Sequence, residues 1–179
     1  MRHHATAALS AVLLAAAATA CSGGSSGSSA SHDATSSTPA PKSVEQAASS
    51  TATVTTKDVS PLGKILVNDK NLSLYLFLAD KSTTSTCNGA CAAVWPPLTV
   101  SGKPTGSGGV QAGKLGTSKR SDGSMQVTYN GHPLYRFAPD TSPGNVRGQG
   151  LNNFGAKWYV VGTDGKQITT SPKSTPSGY

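Results

Sequence analysis

Nothing in the 179 residues is apolar for long enough to cross a bilayer, since a spanning helix needs about 20 apolar residues. No Gly-x-Ser-x-Gly elbow is present, and no other hydrolase signature stands out. The glycines at 144, 148, 150 and 155 lack the strand-then-helix setting of a phosphate loop. Lys119-Arg120 is the sole adjacent pair of cations, and no basic stripe interleaved with aromatics occurs. Nucleic-acid binding is therefore set aside. Aromatics are few, and residues 22–60 have none. That segment is nearly half Ser and Thr, so it cannot bury enough apolar surface to offset its ordering entropy.

What is present begins with an export leader. Arg2, His3 and His4 form a basic start, Ala5 to Ala18 an apolar run around Val12-Leu13-Leu14, and small residues lead to Cys21. This order marks residues 1–20 as a processed signal peptide, outside the fold. The stretch Ala18-Thr19-Ala20-Cys21 resembles the lipobox of bacterial lipoproteins, with Ala18 where that pattern prefers Leu. The resemblance implies a diacylglycerol on Cys21, and Ala18-Thr19-Ala20 also fits the A-x-A site of ordinary secretion. Both readings cut before Cys21. The Ser/Gly-rich stretch after it suits a tether, so the expectation is an extracellular protein, lipid-anchored on the outer face of the bacterial cytoplasmic membrane.

Composition then divides the mature chain. Residues 21–60 are expected to be a disordered tether, residues 61–168 one small β domain, and residues 169–179 a loose Ser/Thr/Pro-rich tail. The mature chain carries 14 Lys and Arg against 8 acids. That excess suits solubility, or attraction to anionic lipid heads or wall polymers.

The central segment reads as strands and turns. Ile65-Leu66-Val67 form one strand, and Asp69-Lys70-Asn71 the turn after it. From Leu72 to Leu78 the leucines share one face while Ser73, Tyr75 and Phe77 share the other. Large apolar groups on both faces predict a central strand. Met125–Tyr129 and His132–Phe137 flank Asn130-Gly131, the hairpin signal that a type I′ turn requires. Pro133 places its end of the strand at an edge. Lys157–Gly162 is a further strand, turned by Asp164-Gly165. The one helix expected is a short turn at Ala90–Val94, next to Cys91 and stopped before Pro96-Pro97.

An internal repeat underlies these elements. Leu74-Tyr75-Leu76-Phe77-Leu78-Ala79-Asp80 recurs sixty positions on as Leu134-Tyr135-Arg136-Phe137-Ala138-Pro139-Asp140. A glycine-containing loop and a tryptophan follow each copy: Gly89 and Trp95, then Gly148, Gly150 and Trp158. A unit used twice buries its apolar face against its copy. The predicted fold is all-β: a single small domain of two similar antiparallel units, about 61–100 and 115–165.

With these residues the chain resembles the bacterial secreted-repeat lipoproteins, a family of unknown function marked by Tyr-x-Phe/Tyr-x-x-Asp. The matching residues include Tyr75-x-Phe77-x-x-Asp80, Cys87-x-Gly89-x-Cys91, Trp95-Pro96-Pro97-Leu98, Tyr129-Asn130-Gly131, Tyr135-x-Phe137-x-x-Asp140, Gly148-Gln149-Gly150 and Phe154-Gly155-x-x-Trp158. The resemblance implies export, lipidation and a two-unit repeat, with no established activity. Asn71-Leu72-Ser73 departs from it, standing where a Gly-containing turn is expected.

Chemistry has few places to reside. With Cys21 lipidated, Cys87 and Cys91 are an even pair, which outside the cytoplasm most often forms a disulfide. Gly89 lets the short ring close, and closure would stabilise by about 2 kcal/mol. The alternative is redox or copper work. Thiols at i and i+4 can face one way on a helical turn and suit Cu(I), with Met125 or His132 as a further ligand. Covalent haem lacks its Cys-x-x-Cys-His run, and zinc is short of ligands. Asp80 and Asp140 could be paired carboxylates or caps of the turns they end. Tyr75, Phe77, Tyr135 and Phe137 could line a groove or pack as core. The function that follows is a non-catalytic binding or structural module of the envelope, with an envelope polymer or a surface protein as partner, and no cofactor. The alternative is a copper-handling lipoprotein using Cys87 and Cys91.

Overall fold

Thr53 to Val59 is rich in β-branched residues, the composition that suits a pleated surface, and forms the first strand, β1 (Thr53–Val59). A computed structural model describes residues 51–172. The expected leader, Cys21 and the expected tether up to residue 50 lie outside the described residues, as do residues 173–179. Strand β1 lies inside the segment the sequence assigns to the tether, so the domain begins before residue 61. The correction has a simple cause: threonine and serine are alike in a count of polar residues, but threonine is β-branched and favours strands. Val54 is fully buried.

β1 pairs antiparallel with β2 (Gly63–Asn68), from Val54 opposite Asn68 to Val59 opposite Gly63. The turn that follows uses no glycine. Asn71 itself adopts a left-handed φ of 59°, and the Asn68 side chain accepts the amides of Lys70 and Leu72 at 3.0 and 2.9 Å. Asparagine is the residue besides glycine that tolerates this conformation, which is why the departure at Asn71 leaves the fold intact.

The run from Leu72 changes partners as it proceeds. Ser73 bridges Val67, and then β3 (Tyr75–Phe77) pairs with β9 (Ala156–Val160), Tyr75 opposite Val160 and Phe77 opposite Trp158. Tyr75 also bridges Tyr135, so this strand has neighbours on both sides and is central. The helix α1 (Ala90–Val94) occupies the expected residues. Beyond it, β4 (Thr105–Gly106) pairs parallel with β1. A 3-10 turn at Ala112–Lys114 leads into β5 (Leu115–Lys119), which pairs with β6 (Met125–Tyr129).

Asn130 and Gly131 turn the chain with φ of 50° and 83° into β7 (His132–Pro133), the edge strand of the order β5-β6-β7. The expected strand to Phe137 is shorter than predicted: Leu134 still donates its amide to Val127 of β6, and from Tyr135 the backbone leaves β6 to bridge Tyr75 and Pro97. Finally β8 (Asn152–Asn153) forms a tight hairpin with β9.

The three small sheets, β2-β1-β4, β3-β9-β8 and β5-β6-β7, are stitched by such bridges into one all-β body. Alternation along the central strands separates two cores. Ile65, Val67, Tyr75, Phe77, Tyr135, Phe137, Trp158 and Val160 face one, with the two cysteines and Trp95. Leu66, Leu74, Leu76, Leu134 and Val161 face the other, with Val127 and Tyr129. Among the described residues no helix is long and apolar enough to cross a membrane.

Candidate functional site

The repeat motif gathers at one place in the aromatic core. Tyr and Phe two apart on a strand share a face. Asp, three residues beyond Phe, closes the strand's end by donating its amide to the phenylalanine carbonyl, at 3.1 Å in Asp80 and 2.9 Å in Asp140. The two copies meet at Tyr75 and Tyr135, whose amides each donate to the other's carbonyl, at 2.9 and 3.0 Å.

Side chains then cross between the copies. The Tyr75 hydroxyl donates to Asp140 Oδ2 at 2.5 Å, and the Tyr135 hydroxyl donates to Asp80 Oδ2 at 2.6 Å. Phe77 stacks on Trp158 at 4.0 Å, Phe137 lies on Trp95 at 4.3 Å, and the two tryptophans stack face to face at 3.9 Å. Tyr75 and Tyr135 meet Trp95 and Trp158 edge-on. Each motif is thus completed by the other.

The remaining carboxylate oxygens are taken locally. Asp80 Oδ1 accepts the Thr86 amide at 2.7 Å and the Thr86 hydroxyl at 2.6 Å, and Asp140 Oδ1 accepts the Arg147 amide at 3.0 Å. Burial, and then the charge and bond of Asp140, push the Tyr75 phenol well above its ordinary range. Burial and Asp80 do the same to Tyr135. Burial also raises Asp140, against the opposing bonds of Tyr75 and Arg147. These phenols stay protonated as donors. Both tyrosines are fully buried and both aspartates nearly so, and every carboxylate oxygen of Asp80 and Asp140 accepts a hydrogen bond.

A second polar cluster spans the two repeats. Cys87 and Cys91 are joined, with Cα atoms 5.2 Å apart, and Gly89 between them takes φ 54°. Arg120 is buried and closes over this ring. Its Nη2 donates to the Cys87 carbonyl at 2.7 Å and to Asn88 Oδ1 at 3.1 Å. Its Nη1 donates to Gln126 Oε1 at 2.6 Å and to Ser85 Oγ at 2.8 Å, and Ser85 in turn meets the Tyr135 hydroxyl at 2.7 Å.

Sequence reasoning missed Arg120, Gln126, Ser85, Thr86 and Arg147. Arg120 reads as half of an ordinary basic pair, because its partners in the Ser85–Asn88 loop lie more than thirty residues away. For Thr86 and Arg147 the available signal was the turn that an aspartate caps.

The copper ligand set does not assemble. His132 stands opposite Tyr129 at the end of the β6–β7 hairpin. Met125 packs against the leucine core, whereas the cysteines belong to the aromatic one. Among the described residues no three His, Cys, Asp or Glu side chains come together.

Comparison with known proteins gives a family likeness. Residues 53–99 and 116–162 match a family described as a secreted repeat of unknown function. The first match begins on β1 and the second within β5, so each repeat opens with a two-strand hairpin, β1–β2 or β5–β6. No curated protein and no solved structure matches the chain.

Proposed function

The chain belongs to the family of secreted repeats of unknown function, and we propose that it serves as a non-catalytic binding or structural module of the bacterial envelope. One observation carries the reading. The Tyr75–Asp140 and Tyr135–Asp80 bonds, with Thr86 and Arg147, consume the most reactive-looking polar groups of the motif inside the core. A buried polar network that is fully satisfied rigidifies and specifies a fold. What such a rigid body offers its surroundings is its surface.

The anchor is the finer part of the proposal. The leader order, the Ala18-Thr19-Ala20-Cys21 stretch and the Ser/Gly-rich run after it support a lipid on Cys21 that holds the domain at the outer face of the cytoplasmic membrane, where an envelope polymer or a surface protein is its partner. Cell fractionation of the wild type and Cys21→Ser tests this. The wild type is expected with membranes and the variant in the medium; a variant that still fractionates with membranes overturns the anchor.

The disulfide supports a structural rather than a redox role for Cys87 and Cys91. Thiol counting on the denatured, unreduced protein is expected to find neither residue free. Two free thiols that hold Cu(I) would return the copper reading.

A further inference from the structure

Two hairpins of this fold turn on a pair of residues with left-handed backbone. Between β6 and β7 the pair is Asn130 and Gly131, with φ of 50° and 83°. Between β8 and β9 it is Phe154 and Gly155, with φ of 57° and 88°. An L-residue other than asparagine, aspartate or glycine is disfavoured there, by roughly 1–2 kcal/mol. The fold thus places a phenylalanine where, in its other tight hairpin, it places an asparagine. Phe154 is also 49% exposed, the one large hydrophobic side chain so exposed among the described residues. The ring bears a backbone cost and a hydration cost together, and it takes no part in the aromatic stack around Trp95 and Trp158. Strain of this kind persists at sites that act on something outside the fold.

The neighbourhood gives the chemistry of the partner. Lys157 is paired across from Asn152, within the same hairpin. The Lys157 carbonyl accepts the Leu78 amide, and the Lys81 ammonium sits on the Leu78 carbonyl at 2.7 Å. Two exposed lysines therefore flank the hairpin, while Asp80, the acid of that edge, is buried and bonded to Tyr135 and Thr86. Across residues 51–172 there are 12 Lys and Arg against 6 Asp, and two of those aspartates, Asp80 and Asp140, are buried. An apolar aromatic tip among ammonium groups matches the interface of an anionic bilayer, where Phe side chains bury at the boundary of headgroups and acyl chains and each nearby cation gains about 1 kcal/mol.

We propose that the β8–β9 turn is a membrane-docking tip: Phe154 enters the interface of anionic lipid and Lys81 and Lys157 meet its headgroups. The idea deepens the anchored-module reading and rests on it for proximity. From Cys21 to Thr53 the chain can extend to about 100 Å, enough for any face of the domain to reach the bilayer that holds the lipid. The tip then fixes which face does.

The test uses the mature chain from residue 21 carrying Cys21→Ser, so that neither the leader nor the lipid plays a part and a failed anchor leaves the result unaffected. Sedimentation with phosphatidylglycerol/phosphatidylcholine vesicles is compared with pure phosphatidylcholine. The protein is expected to sediment with the anionic vesicles alone, and added salt should release it. Phe154→Asn is expected to weaken this binding about tenfold while raising the thermal midpoint by about 4 °C, because it relieves the turn. Lys81→Gln with Lys157→Gln is expected to weaken it by a further factor of about ten. Phe154→Trp should keep binding and show blue-shifted emission that brominated phosphatidylglycerol quenches. No sedimentation with anionic vesicles, or equal binding by Phe154→Asn, overturns the proposal. Capture of a soluble anionic wall polymer that Phe154→Asn abolishes, without vesicle binding, overturns it as well and gives the tip to the polymer.

Discussion

Tyr75 and Tyr135 hold each other by two backbone hydrogen bonds, of 2.9 and 3.0 Å, and each phenol binds the aspartate that ends the other's motif. The spacing Tyr-x-Phe-x-x-Asp follows from this exchange. Tyrosine and phenylalanine must face one core, two residues apart, and the aspartate must stand at the strand's end, where a phenol from the opposite copy can reach it. A repeat built this way is incomplete alone, which gives a physical reason for the motif to occur twice in one chain.

Removing either phenol should be costly in a specific way. Tyr75→Phe leaves Asp140 Oδ2 buried and without its donor, a loss of about 1–3 kcal/mol. In urea melts, Tyr75→Phe combined with Asp140→Asn is expected to fall short of additivity by about 1 kcal/mol. Tyr75→Phe combined with Asp80→Asn should be closer to additive. Equal coupling in both pairs would show that the exchange between repeats is not what the bonds do.

Much of this fold was legible, because alternation and turn chemistry are local. The central strand at Tyr75, the Asn130-Gly131 hairpin and the turn at Ala90–Val94 all follow from nearest neighbours in sequence. The exchange itself was not legible: nothing in Asp80 says that its phenol comes from residue 135 rather than 75. Arg120 was hidden for the same reason, since its burial depends on a loop more than thirty residues upstream. The start of the domain was hidden by composition, yet the repeat held the clue. Tyr135 follows the start of β5 at Leu115 by twenty residues, and the same interval back from Tyr75 ends on Thr55, within β1.

The raised phenols make a prediction about alkaline pH. In the unfolded chain both tyrosines release their protons near pH 10, while in the fold burial and the adjacent aspartates keep them protonated. Above that pH the folded state binds more protons than the unfolded one, so stability falls as pH rises. The stabilisation is present in full below about pH 10 and is lost towards the higher folded values. The slope is about 1.4 kcal/mol per pH unit for each phenol. Denaturant melts from pH 9 to 11.5 should show it, and Tyr75→Phe should roughly halve the part due to these two residues. A slope unchanged in Tyr75→Phe would remove Tyr75 from the account.

Gly148 should tolerate no side chain. A Cβ there would stand 2.7 Å from Trp95 Cη2 and 3.0 Å from Tyr75 Cε1. Both rings are fixed, one by the Trp158 stack and the other by Asp140, so neither can give way cheaply. Gly148→Ala is expected to destabilise by about 1–3 kcal/mol, with a changed near-ultraviolet circular dichroism from the tryptophan pair. Gly113→Ala, with open space around the added methyl, serves as the comparison and should change neither.

The strand β1 decides how much chain the domain needs. Without it, β2 loses the partner that covers it from Asn68 to Gly63, β4 loses its own neighbour, and the cavity of Val54 opens in the leucine core. Loss of one buried valine costs several tenths of a kcal/mol to a few kcal/mol, and a bared sheet edge invites pairing with other chains. A chain begun at residue 51 should therefore give a single cooperative melt and resist proteolysis. One begun at Pro61, where composition alone draws the border, should melt lower, aggregate and be cut readily. If the two behave alike in differential scanning calorimetry and limited proteolysis, β1 is an accessory to the fold and the repeat begins at β2.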